Sequence, residues 1–146
     1  MRDAVRTVVV GFLAGALSVL VFHQLGFWLS SKLLNATFTL YNMRPVPPWG
    51  VPTIVSLAFW GGLWGVLAAF VVPRLPGALS SVLGWILFAA IVVTLVNWFV
   101  VLPIKGQAAG NGFRLPGVVV VPIVYGIWGF GMWVFTRLLR TTLNWR

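Results

Sequence analysis

Four long apolar runs divide the chain, at residues 7–31, 45–73, 75–104 and 115–136, and no Lys, Arg, Asp or Glu interrupts any of them. Each exceeds the roughly 20 residues that an α-helix needs to cross the hydrocarbon of a bilayer. The pattern predicts transmembrane helices at about 7–29, 51–72, 81–102 and 117–139. The fold expected is an all-α membrane protein, a four-transmembrane-helix bundle forming a single integral membrane domain over residues 1–146.

Turn residues set the breaks between the runs. Pro45, Pro47, Pro48 and Pro52 forbid helix until about Val51. Pro73-Arg74-Leu75-Pro76-Gly77 reads as a tight turn, and a second loop over 103–116 carries Lys105, Gly106, Gly110, Asn111, Gly112 and Arg114. In the longest loop, residues 30–50, Leu33, Leu34, Phe38, Leu40 and Tyr41 suit a short amphipathic segment on the membrane surface. Asn35-Ala36-Thr37 matches a glycosylation acceptor, which matters only in a eukaryotic secretory setting. Arg2, Arg6 and Ala14-Gly15-Ala16 imitate a signal peptide, but the apolar run continues well past them, as in a retained anchor.

Small residues recur inside the helices. Gly11 and Gly15 form a GxxxG pair with Ser18 on the same side, and Ala58, Gly61, Gly65 and Ala68 make a second stripe. In lipid such stripes let two backbones approach closely, so these residues are candidate helix-packing positions and the second helix is the expected hub. Val51-Pro52 leading to Trp60-Gly61 is echoed by Val121-Pro122 leading to Trp128-Gly129. Two parallel helical-hairpin repeats would produce that echo, and so would chance similarity between apolar segments.

Composition narrows the chemistry. Charged residues are 8% of the chain, against roughly 25% in ordinary soluble domains. The formal charge of +9 is scattered over helix ends and loops without a patch, which argues for lipid headgroups as partners and against nucleic acid. Arg2, Arg6, Arg74, Arg137, Arg140 and Arg146 fall at the termini and middle turn, while Lys32, Arg44, Lys105 and Arg114 fall in the longer loops. The first set is larger, which favours both termini in the cytoplasm. There is no Cys, a single His and, in Asp3, a single acidic residue. Hydrolase or transferase sites, two-histidine haem ligation, a carboxylate proton relay and a K⁺-type filter all lack their residues, so neither an enzyme nor a metal site is expected. No cofactor is expected either; a lipid or quinone is the admissible bound molecule.

The intramembrane polar residues fall at one depth. Counted inward from the helix ends facing the long loops, His23, Ser56, Asn97 and Tyr125 lie roughly 8–12 Å below one surface, with Gln24 and Thr94 near the same level. These are the candidate ligand-binding residues, as a polar vestibule floored by a Trp-rich midsection with Lys105 and Arg114 overhanging its mouth. Interhelical hydrogen bonds that merely fix register explain the same residues. Among the tryptophans, Trp28, Trp49, Trp85 and Trp145 read as interface anchors, whereas Trp60, Trp64, Trp128 and Trp133 sit deeper and could line an apolar cleft.

Several stretches carry a family resemblance: Phe22-His23-Gln24, Pro47-Pro48-Trp49-Gly50-Val51-Pro52, Leu57-Ala58-Phe59-Trp60-Gly61-Gly62 and Trp98-Phe99-Val100-Val101, followed by Pro103 and Lys105-Gly106. Here the chain resembles a family of small, uncharacterised bacterial inner-membrane proteins. The resemblance implies a bacterial inner-membrane setting and brings no site residues with it. Two functions are expected to compete. One is a non-enzymatic accessory or assembly protein, a homo-oligomer or part of a larger membrane complex joined through its Gly/Ala stripes. The other is a small channel, transporter or lipid- or quinone-binding protein that uses the polar layer.

Overall fold

A computed structural model describes residues 1–143; Trp145 and Arg146, expected as an interface anchor and a basic terminus, lie outside the described residues. Among the described residues four helices are long and apolar enough to cross a membrane: α1 (Arg2–Leu34), α2 (Thr53–Arg74), α3 (Val82–Ile104) and α4 (Gly117–Thr142). The all-α four-helix bundle read from the apolar runs is the fold observed. Between α1 and α2 a short antiparallel pair, β1 (Pro45–Val46) and β2 (Val51–Pro52), brackets a tight turn.

The helices outrun their apolar cores. α1 was expected from about residue 7 to 29, yet it starts at Arg2 and includes Ser30, Ser31 and Lys32. Ser30 is buried, the Ser31 hydroxyl bonds back to Trp28 O, and only Lys32 is exposed, so these residues continue the helix without breaking it. α1 stops at Asn35, whose left-handed φ of 50° closes the last turn. Leu33 and Leu34 therefore belong to the end of α1, and residues 36–39 beyond it are not helical, in place of the amphipathic surface segment expected. Three wide π turns interrupt the α-helical pairing, at Val19–His23 in α1 and at Phe88–Val93 and Asn97–Val101 in α3.

Glycines decide which helices touch. A Cβ on Gly11 would stand 2.8 Å from Gly65 O, and Cβ atoms on Gly15 or Gly65 would overlap the Gly61 or Gly11 carbonyl oxygen. The two stripes thus face each other, and α1 and α2 close backbone to backbone. Ala68 at the end of the α2 stripe is fully buried, while Ala58 at its start is only half-buried.

The second helix is not the hub. α4 packs along both α1 and α3, so the bundle runs α2, α1, α4, α3. The cause lies in glycine placement. α2 has one small-residue stripe, whereas α4 presents Gly131 to Ser18 and Phe22 of α1 and Gly129 to Trp85 and Ala89 of α3. α2 and α3 meet where Trp64 lies edge-on to Phe88 and where Val72 approaches Gly84. Val19, Ala69, Val72, Phe88, Val93, Trp128 and Met132 fill the space between the four helices.

Candidate functional site

The polar layer begins with the π turn of α1. A wider turn changes the pairing of backbone carbonyls, and in hydrocarbon each of them needs a donor. Val19 O accepts a hydrogen bond from Gln24 Nε2 at 3.4 Å, and Leu20 O accepts one from the Tyr41 hydroxyl at 2.8 Å. Gln24 Oε1 in turn accepts the backbone N–H of Tyr41 at 2.9 Å. At the other end of the same loop, Arg44 O takes both the backbone N–H and the hydroxyl of Thr53, and Asn42 O takes the Ile54 N–H. Gln24 is thus a buried clip that fastens the first loop as a strap across α1 and the start of α2.

One side chain along from Gln24, His23 is buried with its ring stacked on Tyr125 of α4, centroids 6.0 Å apart and planes 29° apart. Phe27 meets the imidazole edge-on at 4.9 Å, and Phe27 in turn packs on Phe38 of the strap at 5.2 Å. His23 Nδ1 and Thr94 Oγ1 are both buried without a hydrogen-bond partner, as is Thr136 Oγ1 nearer the other end of α4.

A separate cavity of about 380 Å³ opens on the loop-bearing face, between the end of α3, the 105–116 loop and the start of α4. Asn97, Gln107, Asn111 and Arg114 give it polar walls, and Trp98, Leu102, Leu115 and Val121 give it apolar ones. The loop is held firmly in place. Gly110, Asn111, Gly112 and Phe113 all take left-handed φ angles, between 51° and 75°. That winding lays the Phe113 ring over Gly110, where a Cβ would overlap it, and against Trp98 at 5.5 Å and Phe99 at 5.9 Å. Thr94 precedes Asn97 by one turn of α3, and Tyr125 follows Val121 by one turn of α4. The His23–Tyr125 pair therefore lies a turn deeper than the cavity floor.

The expected layer accordingly separates into three parts. Asn97 lines the cavity; His23 and Tyr125 meet beneath it; Gln24 belongs to the strap. Ser56 is half-buried and joins none of these groups, and Lys105 is exposed outside the cavity wall that Arg114 helps to form. Trp98 stands in the wall, where a floor from the Trp-rich midsection of Trp60, Trp64, Trp128 and Trp133 was expected. Trp60 instead faces outward, 58% exposed, and Trp85, expected at the interface, is a core residue at 4%. Gly129 explains the second case, because its missing side chain lets α4 close over Trp85. Trp98, Gln107 and Asn111 went unread as site residues. The available signal was Gly110-Asn111-Gly112, three residues tolerant of left-handed φ, which mark a tightly wound loop rather than a slack one.

No family model, curated protein or solved structure matches this chain. What the cavity can do follows from its own groups. Among the described residues the side chains of Asn97, Gln107, Asn111 and Arg114 have no hydrogen-bond partner within the protein. The Gly117 N–H, first of α4 and also in the wall, has none either. The arrangement is a set of unengaged amide and guanidinium groups around one volume that also has apolar lining.

Proposed function

We propose that this chain is a non-enzymatic, multi-pass protein of the bacterial inner membrane that holds a small polar or amphiphilic molecule in the loop-side vestibule. The observation that carries this reading is the cavity, whose polar side chains are unengaged by the protein itself. Its volume of about 380 Å³ falls within the ordinary range of small-molecule sites, roughly 300–1,000 Å³. Leu115, in the wall, is 78% exposed, so an apolar tail in the surrounding lipid could reach the mouth. The larger basic set, with Arg2, Arg74, Arg137 and Arg140, supports cytoplasmic termini, and the motif resemblance supports the bacterial setting.

Assembly with a second copy or a larger complex is the second reading. Its support is now the outward face of α2, where Phe59 and Trp60 are exposed, because the glycine stripes are engaged within the chain. Native mass spectrometry in gentle detergent tests both readings. The wild-type protein is expected to carry a retained small molecule, and Gly117→Leu to lose it while remaining folded. Gly117 is in the vestibule wall and a Cβ there meets nothing within 4 Å, so a side chain added at this point displaces no neighbour and takes up room at the wall. Equal retention by both proteins, or a bare wild-type protein, would contradict the vestibule reading; a defined oligomer without a ligand would favour assembly.

A further inference from the structure

We infer that the vestibule is an anion site for a phosphate group, presented by an anionic lipid headgroup or as free phosphate. The inference rests on the vestibule reading and adds the chemical class of the ligand. Arg114 supplies a permanent cation whose planar fork of N–H groups matches phosphate oxygens. Asn97, Gln107 and Asn111 add amide donors, and all four side chains are unpartnered among the described residues.

The start of α4 contributes as well. Pro116 has no N–H, and the next two helix amides after Gly117 are already used: Val118 N–H donates to Arg114 O and Val119 N–H to Pro116 O. The Gly117 N–H is left facing this end of the helix, where the aligned peptide dipoles place positive partial charge. No side-chain carboxylate competes for Arg114. The only acidic residue, Asp3, stands at the start of α1, at the opposite membrane face from the 105–116 loop.

Cation, amides and helix terminus therefore converge on one volume that has no acidic group to neutralise it. Depth favours the lipid as the source of the phosphate. The polar walls lie at the loop-bearing end of α3 and α4, and the exposed Leu115 beside them suits the boundary between headgroups and acyl chains.

Calorimetric titration of the full chain in detergent tests this with three probes: dihexanoyl phosphatidylglycerol, inorganic phosphate, and dihexanoylglycerol, which has the same tails without phosphate. Saturable binding of the phosphatidylglycerol is expected, with affinity lowered about tenfold or more by Arg114→Gln and only partly kept by Arg114→Lys, which retains the charge but not the planar fork. Arg74→Gln, at the opposite face, is expected to change nothing. Competition by inorganic phosphate at similar concentration would identify the phosphate group itself as sufficient; absence of competition, with binding intact, would identify the whole headgroup.

The inference is overturned if Arg114→Gln leaves binding unchanged, if dihexanoylglycerol binds as tightly, or if neither phosphate probe binds. Gly117→Leu separates those failures from failure of the vestibule itself. Loss of dihexanoylglycerol binding, or of a retained neutral molecule, in that variant keeps the vestibule and removes the anion; no effect of the variant removes both.

Discussion

Ser18 and Trp128 tie α1 to α4 with two opposed hydrogen bonds. The serine hydroxyl donates to Trp128 O at 2.7 Å, and the indole N–H donates to Gly15 O at 3.1 Å. Gly15 sits at that crossing with its other side against Gly61, so three helices meet around a position with no room for a side chain. Gly15→Leu is expected to cost more than the roughly 1–3 kcal/mol of ordinary overpacking, because the obstacle is backbone and cannot rotate aside. Thermal unfolding in detergent checks this, with Gly117→Leu as the tolerated control; a melting temperature for Gly15→Leu equal to wild type would refute it. The glycine spacing was legible in the sequence as a packing stripe. What it packs against was not, since Trp128 bonds to a backbone carbonyl, a group that every residue carries.

At the scale of elements, the four spans were legible because charge avoidance in hydrocarbon is strong and leaves long unbroken runs. The strap over residues 35–52 was not, because its fasteners have no periodic signature. Tyr41 and Gln24 are 17 residues apart in sequence and engage the backbone of a π turn that no pattern announces. The Tyr41 hydroxyl supplies one of these bonds, worth about 0.5–1.5 kcal/mol. Tyr41→Phe is expected to leave the bundle intact and to speed amide exchange in the 36–44 segment by up to about tenfold, read by hydrogen-exchange mass spectrometry. Unchanged exchange there would mean that the hydroxyl does not hold the strap.

At the scale of the molecule, the polar layer was legible as a depth but not as a site. Depth follows from counting residues along each helix, whereas neighbourhood depends on helix order, and that order is fixed by glycines on two faces of α4. His23, Asn97 and Gln24 count to about one level along their helices yet end in three different places: an aromatic stack, a cavity wall and the clip of the strap. The vestibule is thus a product of how α3, α4 and their wound loop come together, and it draws on Gln107 and Asn111, which lie outside the membrane runs.

The most direct measurement is maleimide labelling of single cysteines in native membranes, which the absence of any native Cys makes clean. Gln107→Cys places a thiol in the vestibule wall, and Ala108→Cys places one beside it but outside the lining. If the vestibule holds a ligand, Gln107→Cys labels several-fold more slowly than Ala108→Cys in membranes and catches up once lipids are stripped into detergent. Equal rates at both positions before and after stripping would contradict an occupied vestibule.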